Sequence, residues 1–181
     1  MANPEVITSV TPYLPVIQTI VGGALTLAGG FVGAVLTEKR KDDREARNLG
    51  LAFRGEVCAL RAIVARRKYL DLLETTIAQI KKEGQPIQFN VYVRRSYLNV
   101  YDKNADKLGI LKSPLPELLA SFYTNANAVL EDLEVIRNGE GGQGPHEQIE
   151  AYEELRTLIR ECAKLADKID ETTRVIYRQQ T

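Results

Sequence analysis

The chain has 181 residues, with 24 Lys and Arg against 24 Asp and Glu, one His, two Cys and seven Pro. Zero net charge argues against a nucleic-acid binder held by a bulk electrostatic field, and one His with two Cys leaves too little for a metal cage, a disulfide framework or a His-based catalytic site. The charge is unevenly placed: residues 1–37 hold no Lys or Arg and one acid, Glu5, so the basic groups all lie in the remaining 144 residues.

The first predicted element is a membrane span. Residues 13–36 form an uncharged apolar stretch of 24 residues, and about 20 apolar residues cross a ~30 Å hydrocarbon core as a helix. A cleaved signal peptide would need a basic start and a shorter apolar run. Lys39, Arg40, Lys41, Arg44 and Arg47 follow the stretch directly, whereas residues 1–12 have no basic group. Basic flanks stay cytoplasmic. The expectation is a single-pass protein of the cell membrane, with residues 1–12 as a short tail outside and residues 37–181 as a cytoplasmic domain. Within the span, Gly29 and Gly33 make a GxxxG step, and Gly22, Thr26, Gly30 and Ala34 form a ladder of small residues beside it. At about 100° per residue these six fall within one arc of roughly 140°, a face on which two helix backbones approach closely in lipid.

Residues 38–83 read as one long helix ended by Gly84 and Pro86. Phe53, Val57, Leu60 and Val64, resumed by Leu73, Ile77 and Ile80, place an apolar stripe on one face. A second stripe of small residues, Ala52, Gly55, Ala59 and Ala62, centres well over 100° away. It serves either a wide buried arc of the chain's own bundle or an intermolecular contact. Glu56 falls between the stripes, where a desolvated carboxylate needs a cationic or hydrogen-bonding partner.

Phe89 to Val93 is an apolar-aromatic stretch, extended or opening the next helix. Ser96 is read as the N-cap of a helix over 97–108 that ends in a left-handed turn at Gly109, letting Leu111 fold back onto the bundle. Ser113 and Pro114 read as N-cap and first helical residue of a helix reaching Ile136 and ending at Asn138-Gly139. A flexible loop follows. From His146 to about Arg178 an apolar repeat every three or four residues marks the last helix, with Glu147, Glu150, Glu153 and Glu154 early and Arg174 and Arg178 late, as the helix dipole favours. The fold class expected is all-α: one transmembrane helix followed by an elongated antiparallel helical bundle.

The tempting motifs lack their contexts. Gly139-Glu140-Gly141-Gly142-Gln143-Gly144 spells GxGxxG, but a helix precedes it and no βαβ pattern exists. Asp102-x-Asn104-x-Asp106 opens like a calcium loop, yet Lys107 and Ser113 stand where the loop needs Gly and Glu. His146-Glu147 has no second His to complete a zinc motif. Cys58 and Cys162 read as small packing residues in a reducing compartment. Residues 38–68 carry net +5 and residues from Asp71 onward net −4, opposite signs that could attract within the bundle or between copies. The run Arg66-Arg67-Lys68 is a solvated face or a contact for an acidic protein partner.

Phe53-Arg-Gly-Glu-Val-Cys-Ala-Leu60 after a membrane helix, and Val100-Tyr-Asp-Lys-Asn-Ala-Asp-Lys-Leu-Gly-Ile-Leu111 followed by Phe122-Tyr123, resemble a loose group of uncharacterised bacterial single-pass membrane proteins with a helical cytoplasmic domain. The likeness covers about residues 15–135. It implies a bacterial cell membrane and no particular activity. With no catalytic, cofactor or metal constellation, the chain reads as a non-enzyme. The expected role is a structural or interaction protein, anchored in membrane lipid by one helix, that forms a homo-oligomer or holds a membrane-protein partner. No nucleic acid and no small-molecule substrate are inferred. The alternative is a membrane-linked signalling or defence component whose bundle couples to the transmembrane helix.

Overall fold

The computed structural model describes the backbone of residues 14–178 except 88, 90 and 92–94, and side chains from Val35 onward except at those positions and at 95, 96 and 178. Every regular element among the described residues is helical: α1 (Leu14–Arg66), α2 (Tyr69–Glu83), a 3-10 turn (Arg95–Leu98), α3 (Asn99–Asn104), a second 3-10 segment (Ala105–Ile110), α4 (Leu115–Arg137) and α5 (Pro145–Arg178). The chain divides into two compact units between Glu45 and Ala46.

In the first unit α1 is helical from Leu14. Of the apolar span expected at 13–36, the backbone is helical from Leu14, while Tyr13 and the side-chain surroundings of residues 14–34, among them the small-residue face of Gly22, Thr26, Gly29, Gly30, Gly33 and Ala34, lie outside what the structure describes. Among the described residues no helix is long and apolar enough to cross a membrane.

In the second unit α5 runs antiparallel to α1 and α2, and the contacts fix its register. The Tyr177 hydroxyl donates to the Ala46 carbonyl at 3.1 Å, Arg54 meets Asp170 at 2.5 Å, Arg61 meets Asp167, Glu74 meets Arg160, and Lys81 meets Glu153 at 2.8 Å. Two of these pairs, Arg54–Asp170 and Arg61–Asp167, join the basic segment 38–68 to the acidic remainder within the bundle. Gly50 belongs to this contact, because a Cβ there would stand 2.6 Å from the Tyr177 ring. α4 packs along α5 as a hairpin. Its turn closes through Gly139 at φ 79°, with the Glu140 N–H donating to the Val135 carbonyl at 3.0 Å, a left-handed glycine stop of the expected kind.

The expected unbroken helix over 38–83 is a correction. α1 stops at Arg66, Lys68 takes φ 52° and ψ 40°, and α2 starts at Tyr69. The reason is in the stripe. Continued past Val64 at helical spacing, it would reach Arg67, Lys68 and Asp71, all polar. The break lets Tyr69, Leu73, Thr76, Ile77 and Ile80 turn inward instead. Two apolar clusters result. One gathers Phe53 and Val57 of α1 with Leu115, Leu119, Phe122 and Tyr123 of α4 and Ile169 of α5. The other gathers Leu73 and Ile80 of α2 with Leu133 and Ile136 of α4 and Tyr152 and Leu155 of α5. Fully burying a large apolar side chain such as Phe53 stabilises by about 1.5–3 kcal/mol.

Smaller expectations also change. The helix over 97–108 is three short pieces, and Gly109 lies in the second 3-10 segment without positive φ. Leu98, not Ser96, occupies the N-cap position of α3. Leu111 nevertheless folds back into the first cluster. α4 begins at Leu115 with Pro114 at the N-cap position, after a cis Ser113-Pro114 bond. Phe89 and Val91 are buried without forming a strand.

Candidate functional site

Glu56 accepts three hydrogen bonds across the second unit. One oxygen accepts from the Val100 N–H at 2.6 Å, the other from the Tyr101 N–H at 3.2 Å and from the Tyr123 hydroxyl at 2.6 Å. Val100 and Tyr101 are the second and third residues of α3, whose N-cap position, Leu98, offers no side-chain acceptor. The first N–H groups of a helix lack intrahelical partners, so Glu56 caps α3 from across the bundle, at the end where a negative charge is favoured. The Tyr101 and Tyr123 rings stack at 3.9 Å, and Phe53 meets Tyr123 edge-on at 6.1 Å. Burial, and then the hydrogen bond to Glu56, push the Tyr123 hydroxyl well above the ordinary tyrosine range. The segments around Phe53, Val100 and Tyr123 therefore meet at one carboxylate. The arrangement fastens α3 to α1 and α4.

Asp170 is a second hub. It receives Arg54 and also Arg174, whose Nη2 lies 2.8 Å away. Burial alone would raise it, but Arg54 and Arg174 hold it below the ordinary carboxylate range. Cys58 shares this corner, and burial with the nearby Asp170 charge pushes its thiol up. Burial pushes the Cys162 thiol up to about 11. Both thiols are free.

The small-residue stripe is outward-facing. Ala52, Gly55, Ala59 and Ala62 are all exposed, and a Cβ on Gly55 would meet nothing within 4 Å. The reading of this stripe as a buried arc of the chain's own bundle is overturned. The large residues on the other face of α1 already satisfy α4 and α5.

A cavity of about 270 Å³ lies where the two apolar clusters meet. Its walls include Leu60 and Val64 of α1, Leu130 and Leu133 of α4, and Ile159 and Cys162 of α5, with Arg61, Lys68 and Asp71 also among its lining residues. Voids larger than a water molecule are few in a domain interior, and small-molecule sites begin near 300 Å³. The sequence carries no sign of this space, since residues from α1, α2, α4 and α5, with Phe89, Val91, Tyr97 and Leu98, line it together.

The rejected motifs have ordinary roles. The Glu147 carboxylate accepts from the Gln143 N–H at 2.9 Å, bracing the glycine loop, and His146 sits 3.4 Å from Glu150 on the exposed start of α5. Asn104 donates to the Val100 carbonyl at 2.9 Å within its own turn. Among the described residues no group of three or more His, Cys, Asp or Glu side chains is placed to hold a metal ion. Comparison with family models, with curated proteins and with solved structures finds no match to this chain.

Proposed function

We propose that the chain is a membrane-anchored interaction module, its residues 13–36 crossing the bilayer once with the N-terminus outside and its helical bundle on the cytoplasmic side pairing with a second copy. The observation that supports the pairing is the outward small face of α1. Ala52, Gly55, Ala59 and Ala62 present almost no side-chain bulk over three turns, so another helix can approach the backbone closely. Gly is a poor helix former in an exposed helix interior, costing about 1 kcal/mol against Ala, and its place there needs a use. The sequence supports the anchor, through the uncharged span and the basic flank that follows it.

The test is the mass of the full-length protein in mild detergent, by light scattering on a sizing column. Gly55→Gln with Ala59→Gln adds long side chains on the small face while improving helix propensity at Gly55. This pair should halve the mass. The same substitutions at Thr157 and Lys164, exposed on α5, should leave it unchanged. An unaltered mass in the first variant refutes the pairing. Orientation is read separately in a variant lacking Cys58 and Cys162. A cysteine at Ala2 should react with an impermeant thiol reagent in intact cells, and one at Gln179 only after lysis. The reverse pattern overturns the topology.

A further inference from the structure

The geometry points to a binding site for a medium-length acyl chain with an anionic head, the chain filling the cavity between α1, α4 and α5 and the head meeting Lys68 at the turn between α1 and α2. This goes beyond the interaction role proposed above and does not depend on it.

The apolar end of the argument is the cavity itself. Its walls are mostly hydrocarbon, so along them it offers few of the two to four polar partners that a buried water needs. Its volume of about 270 Å³ equals roughly nine waters at ~30 Å³ each, space of the order that an alkyl chain of about ten carbons fills. Burial of such a chain is favourable in proportion to the apolar area removed from water.

The polar end is set by charge. Three ionised residues line the space: Arg61, Lys68 and Asp71. Arg61 is already paired with Asp167. Asp71 lies in the first turn of α2, where the helix dipole complements a carboxylate; like Lys68 it makes no ion pair among the described residues, but the consecutive cations Arg66, Arg67 and Lys68 outnumber it at this turn. Lys68 makes no ion pair among the described residues, and it stands in the left-handed turn that separates the helices. The neighbouring Arg67 adds positive charge to the same turn while its guanidinium donates to the Tyr69 hydroxyl at 2.7 Å. An apolar pocket with an unpaired ammonium among its lining residues and a net basic turn beside it fits a carboxylate-headed chain, and it disfavours a cationic amphiphile of the same length.

The experiment uses the full-length chain in lipid nanodiscs and a dodecanoate carrying a photoreactive diazirine near its methyl end, with adducts mapped by mass spectrometry. Adducts should concentrate on residues 126–133 and 159–166, and unlabelled dodecanoate should abolish them. Dodecyltrimethylammonium at the same concentration should not. Lys68→Glu should cut the labelling about tenfold, the scale of one charge-assisted contact. Ala163→Trp, which fills the space from α5, should remove the adducts while the helical spectrum persists. Should Trp disturb that spectrum, Ala126→Leu is the smaller filling variant. Adducts absent from both segments, or surviving either filling variant in a folded chain, overturn the site. Equal competition by the cationic amphiphile, or full labelling of Lys68→Glu, overturns the assignment of the head group.

Discussion

Tyr123 of α4 and Glu56 of α1 share a 2.6 Å hydrogen bond, and the same carboxylate oxygen also accepts from the Tyr101 N–H, whose ring lies stacked on Tyr123. The two residues are 67 positions apart, so their bond ties two long helices together while the capped α3 is held between them. Removing Glu56 strands three donors at once, two of them backbone groups that have no other acceptor in a helix's first turn.

Glu56→Ala should therefore destabilise the bundle by about 3–5 kcal/mol, since each stranded donor costs roughly 1–3 kcal/mol and the losses overlap. Tyr123→Phe removes only one hydroxyl and should cost about 1–1.5 kcal/mol. The double variant should cost less than the sum, giving a coupling of at least about 0.5 kcal/mol in a thermodynamic cycle from denaturant titrations. Strict additivity would show that the bond contributes nothing.

Asp132 and Asp170 should give opposite pH responses. Burial, then the charges of Glu154 and Glu131, raise Asp132 above the ordinary carboxylate value. A raised acid in the folded state penalises the fold once it ionises, so Asp132→Asn should stabilise by a few tenths of a kcal/mol at pH 7 and do nothing below about pH 3. Asp170 is depressed by Arg54 and Arg174 despite its burial. Its contribution is fully present above the ordinary Asp value near 3.9 and is lost as pH falls through its lower folded value. Asp170→Asn should therefore destabilise at neutral pH, and the difference from wild type should shrink on acidification. Thermal melts across this range would expose either sign as wrong.

The two thiols should be slow nucleophiles. With burial holding Cys162 at about 11, the thiolate fraction at pH 7 is about one in ten thousand, and Cys58 is raised as well. Iodoacetamide should label both far more slowly than an unfolded control at pH 7, with the rate for each climbing as the pH approaches its thiol's value. Rapid labelling at neutral pH in a folded sample would contradict the packing around them.

Long stripes were legible in the sequence because burial repeats every three or four residues. The inward faces of α4 and α5, the stop at Gly84 and the turn at Gly139 all follow from local pattern. Glu56 stood out as a carboxylate between two stripes, but its partners lie 44 to 67 residues away, beyond any periodicity. The break at Arg67–Lys68 has a visible trace, the polar residues at 67, 68 and 71, yet Lys carries no turn signature. The α3 region misled because Gly109 is a common helix stop, and here the chain tightens into 3-10 geometry instead.

That break yields the final prediction. Lys68 holds φ 52°, a left-handed conformation in which a Cβ crowds the following carbonyl at about 1–2 kcal/mol per residue. Glycine avoids that crowding but loses more backbone entropy on folding, roughly 0.5–1 kcal/mol. Lys68→Gly should therefore raise stability by about 0.5 kcal/mol, and Lys68→Asn, which tolerates this region, should be close to neutral. Lys68→Val places a β-branched side chain where it is a genuine outlier and should cost 1 kcal/mol or more. The order Gly above Asn above Val in thermal midpoint, in the full-length protein, tests the turn itself. If Val and Gly melt together, the two helices do not meet through a left-handed residue at 68, and the continuous helix read from the sequence returns.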